Sequence, residues 1–286
     1  MIDGEPSRTA MMTALARGLH RLFDDRPWLV DDPFGLLLIG PDWRSAGGAA
    51  AAAYDETERA RLRAFIVARQ KFAEDRLIAG RYPQYVMLGA GLDSFVWRRP
   101  DVARHTRIFE IDHPATQNFK RTRADALGLT LPRTHSYTAV DFERETVQQA
   151  LDRAGFDWSL PAFFTWIGVT MYISRAASRA VFSTVANCAE GSEIVFTYAP
   201  SANELDADDR KLRDIFVGIA AAAGESAISE FSQFELAELV AETGLTLAAN
   251  PTRQDVAQAY FVDRNDGLAP HGMERVAAAR TVKRAH

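Results

Sequence analysis

The stretch Tyr85-Val86-Met87-Leu88-Gly89-Ala90-Gly91-Leu92-Asp93-Ser94 limits what this chain can fold into more than any other. A short apolar run of this kind reads as a strand buried on both faces. Two glycines end it, and a helix-compatible segment follows. About twenty residues on, a second run, Arg107-Ile108-Phe109-Glu110-Ile111-Asp112, finishes on acids. Glycines at the first strand tip leave bare backbone for a ligand, and a carboxylate at the next tip can hold a ribose diol. The pattern is that of a nucleoside-cofactor site.

The rest of the chain supplies the frame. From Thr9 to Phe23, Met12, Leu15, Leu19, Leu22 and Phe23 recur at helical spacing. Asp31-Asp32-Pro33 offers a helix start, and Phe34-Leu37-Leu38 a short second helix. Tyr54 to Ile78 predicts a long helix on Leu62, Phe65, Ile66, Phe72 and Leu77. After Pro83 the period changes to short strands alternating with helices. The predicted strands are Tyr85 to Leu88, Thr106 to Ile111, Ser136 to Val140, Ala162 to Ile167, Ile194 to Tyr198, Leu245 to Ala249 and Gln258 to Val262. Alternation of this kind means an α/β fold: a Rossmann-like, mostly parallel sheet of seven strands. The last two leave no room for a helix between them and are expected to close the sheet as an antiparallel hairpin. The expected organisation is one domain over 1–286, with an N-terminal helical cap (1–80), a cofactor-binding half (81–200), a helical lid insertion (201–229) and a C-terminal helix, hairpin and tail (230–286).

A net charge of -5 argues against a partner held by phosphate contacts, so no nucleic acid is expected. Cys188 is the single cysteine, which excludes an internal disulfide and a thiolate cluster. His20, His105, His135, His271 and His286 show no metal-ligand spacing, and no metal is expected. No apolar run is long enough to span a bilayer, and residues 1–8 lack a signal-peptide pattern. The expected setting is the cytoplasm, with no membrane partner, as a monomer or homodimer.

Two cofactor types compete for the loop. A dinucleotide fingerprint wants a third glycine, where this chain has Ser94 or Phe95, and Asp93 near a helix start repels a pyrophosphate. S-adenosyl-L-methionine, with a positive sulfur, an amino group and a carboxylate, is served by a mixture of acids and one cation. An antiparallel terminal pair also suits the methyltransferase variant of the fold. An NAD-type oxidoreductase and a catalytically silent S-adenosylmethionine-binding protein are the alternatives.

Four blocks in order sharpen this reading. Met87-Leu88-Gly89-Ala90-Gly91-Leu92-Asp93-Ser94 with Trp97-Arg98, then Phe109-Glu110-Ile111-Asp112-His113-Pro114, resembles the leucine carboxyl methyltransferase family. Ala68-Arg69-Gln70-Lys71-Phe72-Ala73-Glu74-Asp75 resembles its arginine-containing helix. Pro161 through Ile173 resembles its fourth-strand block. The resemblance runs from about Ser7 to Tyr198 and implies a bacterial branch similar to polyketide carboxyl methylases.

That resemblance implies roles, each with a plainer alternative. Gly89, Ala90 and Gly91 would approach the methionine part of the cofactor, or simply form a tight turn. Asp112 would hold the ribose, or cap the helix starting at Pro114, with Glu110 as the other choice. Asp141 and Phe142 would bracket adenine, or Asp141 would cap a helix. Arg69 would pair with the cofactor carboxylate, with Arg8 as a second candidate, or face solvent. Tyr172 and Tyr198 would lie on the acceptor side, or be buried structural tyrosines. His113, Lys120, Arg121 and Arg123 read as surface residues, and Arg275, Arg280, Lys283 and Arg284 as a basic tail. Human-type members carry a glutamate where this chain has Ile167. The chain shows no His–acid pair to act as a base. A carboxylate needs none at pH 7, which favours a small-molecule carboxylic acid as methyl acceptor.

Overall fold

The computed structural model describes residues 6–46, 48, 52–140, 145–222 and 229–282. Its centre is a seven-stranded sheet in the order β3-β2-β1-β4-β5-β7-β6. The strands are β1 (Gln84–Leu88), β2 (Arg107–Asp112), β3 (His135–Ala139), β4 (Ala162–Trp166), β5 (Glu193–Tyr198), β6 (Leu245–Ala249) and β7 (Arg275–Thr281). The first five are parallel, while β7 runs antiparallel to both β5 and β6. Since β1 pairs with β2 on one side and β4 on the other, the chain reverses direction across the sheet at β1, where open α/β sheets bind ligands.

The strands read as unbroken apolar runs because both faces are covered. Val86, Leu88, Phe109, Ile111, Phe164, Trp166 and Phe196 pack on one face against α8 (Val147–Arg153), α9 (Arg175–Ala186) and α11 (Gln233–Glu242). Tyr85, Met87, Ile108, Phe163 and Val195 pack on the other, chiefly against Ala64, Ala68, Ala73 and Leu77 of α4 (Glu56–Gly80). An Asp55–Glu58 capping box starts α4, satisfying backbone donors that a helix end leaves open. Ahead of it stand α1 (Arg8–Phe23), α2 (Gly35–Ile39) and α3 (Trp43–Ala46). Two short helices, α5 (Phe95–Arg98) and α6 (Pro100–Ala103), follow β1, and α7 (Pro114–Ala126) follows β2. The segment after β5 holds α10 (Ala207–Ala222), which packs Leu212 against Tyr54 and Met273.

One strand was misplaced by the sequence reading. Gln258 to Val262 is not a strand, because α12 (Arg253–Tyr260) runs through its first three residues and a turn follows. A Thr252–Asp255 capping box starts this helix, and Val256 and Phe261 bury its inner face. The seventh strand is Arg275–Thr281, so Arg275 and Arg280 belong to the sheet and not to a basic tail; Lys283 and Arg284 lie outside the described residues. Ala277, Ala278 and Ala279 are fully buried in it. The antiparallel pair at the sheet end is present, but 25 residues that include α12 join it (250–274), so it is not a hairpin.

The surface reading of α7 holds for Arg121, which is exposed, and fails for Lys120 and in part for Arg123. Lys120 is 1% exposed and donates to Glu110 at 2.5 Å; the Glu110 carboxyl lies 3.1 Å from His135. Burial pushes the Glu110 carboxyl up, and Lys120 and His135 outweigh that, holding it below the usual carboxylate range. Arg123 donates to the carbonyls of Leu37 and Leu38 at the end of α2.

His271, 2% exposed beside the Phe65 ring, gives the fold a pH dependence. Burial first, then the positive fields of Arg69, Arg61 and Arg253, push its imidazole down to about 3. It is neutral when folded and protonates near 6.5 when unfolded. Its contribution is therefore complete above pH 6.5 and declines as pH falls toward 3, by about 1.4 kcal/mol per pH unit. Urea unfolding at pH 7 and pH 5 should show His271→Gln with a shallower loss on acidification than wild type. Equal losses would refute this assignment.

Among the described residues, no helix is long and apolar enough to cross a membrane, and no three His, Cys, Asp or Glu side chains gather as a metal site.

Candidate cofactor site

The site forms where the tips of β1, β2 and β4 meet α1 and α4. After Leu88 the chain turns through Gly89 and Gly91 with φ of +72° and +53°, a region that side chains disfavour. The Gly89 and Ala90 amides both donate to the Ile111 carbonyl, fastening the loop to β2. A Cβ on Gly89 would lie 3.0 Å from Val169 Cγ2, and one on Gly91 would lie 3.0 Å from Ala10 Cβ on α1. The glycines thus admit close neighbours on both sides, as a cofactor-cradling loop must.

Asp112 reaches the same loop. Its carboxylate accepts from the Gly91 amide at 2.5 Å and from its own neighbour His113 N at 2.6 Å. It is half-buried, and burial raises its pKa against the pull of those amides and of Lys120. The alternative role, capping α7, falls to His113, whose Nδ1 accepts from Ala115 N at 3.3 Å. A carboxylate has about four acceptor positions, so Asp112 retains capacity for a hydroxyl pair. Glu110, the other candidate, is committed to Lys120 and His135 behind α7.

A cavity of about 60 Å³ opens beside the loop, lined by Arg17, Arg69, Gln70, Asp93, Thr165 and Ile167 among others. It suits a small polar head group and not a whole nucleoside. Arg69 projects into it from α4, 5% exposed, with Nη1 donating to Glu274 at 2.6 and 2.8 Å. Gly168 lets Arg69 in: a Cβ there would sit 3.3 Å from Nη2. Ile167 supplies an apolar wall.

Other expected residues lie elsewhere. Arg8 stays exposed in the first turn of α1 and does not line the cavity. Tyr198 is fully buried among the core residues of one sheet face, and its hydroxyl donates to Asn250 at 2.9 Å. Tyr172, in the single turn after β4, stands with its ring 6.3 Å from Phe216 on α10. Asp141 and Phe142 lie outside the described residues.

Sequence reasoning missed Arg17. It donates from Nε to Asp32 at 2.8 Å and from Nη2 to the Leu92 carbonyl at 2.7 Å, tying α1 to the glycine loop. Its signal was its position seven residues after Ala10 and three after Ala14, on the stripe that α1 buries.

This geometry has relatives. A family model of leucine carboxyl methyltransferases matches residues 10–186. A Bacillus subtilis protein named "Putative S-adenosyl-L-methionine-dependent methyltransferase YktD" is 32% identical over 201 residues, covering 70% of this chain and 66% of that one. The chain therefore spans about two thirds of that relative's length. A Mycobacterium marinum protein of the same description is 28% identical over 264 residues, covering 88% of this chain and 86% of its own. Among solved structures, a DUF574 family protein from Streptomyces avermitilis superposes with a TM-score of 0.65 at 17% identity, covering 99% of this chain and 100% of that one. A methyltransferase-like structure from Thermobifida fusca gives 0.60 at 15% identity, covering 99% of this chain and 97% of its own. These two show a shared fold. The family match over most of the chain removes the dinucleotide alternative, and the chain belongs to the leucine carboxyl methyltransferase family, whose cofactor is S-adenosyl-L-methionine.

Proposed function

We propose that this protein moves the methyl group of S-adenosyl-L-methionine onto a carboxylate oxygen of a small molecule in bacterial secondary metabolism. The observation that carries the reading is the positive-φ Gly89–Gly91 loop, with the Asp112 carboxylate at its edge and buried Arg69 facing the cavity beside it. In this reading Gly89, Ala90 and Gly91 take the methionine part, Asp112 the ribose and Arg69 the carboxylate. Asp141 and Phe142 remain the proposed adenine contacts on the resemblance alone.

The cofactor supplies an already activated methyl group. What remains for the protein is alignment and exclusion of water, worth up to about 7–11 kcal/mol in well-oriented reactions. No proton has to leave a carboxylate at pH 7, whereas a phenol near pKa 10 would cost about 4 kcal/mol to ionise. The histidine–acid contacts among the described residues serve the fold. His20 is fully buried between Asp24 and the Leu29 amide, and His135 meets Glu110 behind α7. That arrangement supports an acceptor that needs no base. Of the expected lid insertion (201–229), residues 223–228 lie outside the described residues; we place α10 over the acceptor, with Tyr172 beside it, and the protein in the cytoplasm as a monomer or homodimer.

The test has two arms. S-adenosylhomocysteine should raise the melting temperature by several degrees at saturating concentration, and NAD should not. Extract metabolites incubated with enzyme and methyl-labelled cofactor should then release the label as methanol in mild alkali, as esters do. Label that survives alkali on a phenol or amine would overturn the carboxylate assignment. No transfer to any acceptor would leave a cofactor-binding protein without this activity.

A further inference from the structure

We propose that Asp93 is the counter-ion for the ammonium group of the bound cofactor. This rests on the reading of the cavity as the seat of the methionine end. Three charged side chains line that cavity among the described residues: Arg17, Arg69 and Asp93. Both arginines already have acids, Arg17 on Asp32 at 2.8 Å and Arg69 on Glu274 at 2.6 Å. Asp93 does not. Its Oδ1 accepts from Phe95 N at 2.6 Å, and its Oδ2 accepts from Gln70 Nε2 at 3.1 Å, and both donors are neutral. Its ion-pair contact among the described residues is a long one, to Arg98 Nη2 at 3.9 Å, and that guanidinium is engaged by Glu74 at 2.6 Å.

The cavity wall therefore carries a negative charge held in place by two neutral donors, with acceptor positions to spare. Its side chain is 14% exposed, against 4% for Arg98 and 6% for Arg69. A zwitterionic amino acid needs two opposite partners at its head. Asp93 on the β1 loop and Arg69 on α4 line one cavity and present both. An ammonium there donates charge-assisted bonds to Asp93, and the adjoining carboxylate meets the donors that Arg69 does not spend on Glu274. Ile167, on the opposing strand tip, is apolar and offers only its backbone.

Calorimetry tests this with Asp93→Asn, which preserves the shape and the acceptor for Phe95 N. Wild type and variant are each titrated with S-adenosylhomocysteine and with its analogue lacking the α-amino group. Asp93→Asn should weaken S-adenosylhomocysteine binding ten- to a hundredfold and leave the deamino analogue within threefold. Equal losses for the two ligands, or no loss for either, would overturn the assignment. A shifted melting temperature in the unliganded variant is handled by the ratio of the two ligands, which a general loosening of the site would not change. Wild type that binds neither ligand would sink the cofactor reading itself, an outcome separate from a failed ratio.

Discussion

Lys120→Met is expected to destabilise the protein by about 3–5 kcal/mol, the largest single-residue effect on folding that the structure implies. Both partners of the Lys120–Glu110 pair are 1% exposed, and the pair sits between α7 and β2. Removing the ammonium leaves a carboxylate in the interior with the His135 imidazole, 3.1 Å away, beside it. The double variant Glu110→Gln/Lys120→Met should recover at least half of the loss, because no uncompensated charge stays behind. Urea unfolding at pH 7 measures both. A single variant costing under about 1 kcal/mol would mean that water reaches the pair and that α7 does not cover β2 as described.

That pair also shows where sequence reading stops. Lys120, Arg121 and Arg123 looked like one charged helix face, since helical spacing cannot tell a solvated cation from one turned inward. The missed clue was Glu110, an acid inside an apolar strand run, which demands a cation across the interface. Strands β1, β2, β4 and β5 were legible because each is a run of large apolar residues buried on both faces. β7 was not: small alanines between two arginines have little strand preference, and the strand forms because β5 and β6 offer it two edges. Conversely, Gln258 to Val262 looks like a strand locally, and a capping box six residues upstream makes it helix. The glycine loop and Asp112 were legible because they are contiguous with their strands. Arg17 and the Gln70 partner of Asp93 were not, because they arise only once α1 and α4 fold onto the β1 tip.

The second large effect is on the cofactor. Asp112→Ala should weaken S-adenosylhomocysteine binding by about a hundredfold, the equivalent of two charge-assisted bonds to ribose hydroxyls at about 1.5 kcal/mol each. The same carboxylate accepts from the Gly91 and His113 amides, so alanine also leaves two partly buried donors open. A cost to folding of about 1–3 kcal/mol is expected alongside the lost affinity. Asp112→Asn separates the two roles. Its remaining oxygen can still take the Gly91 amide, which keeps the loop at φ +53°, while the charge and one acceptor are gone. The asparagine variant should fold within about 1 kcal/mol of wild type and still bind at least tenfold more weakly. Calorimetry with S-adenosylhomocysteine, paired with urea unfolding of the free protein, reads both quantities. If Asp112→Asn binds as wild type does while Asp112→Ala is destabilised, the carboxylate serves only to anchor the glycine loop, and the ribose must be held elsewhere.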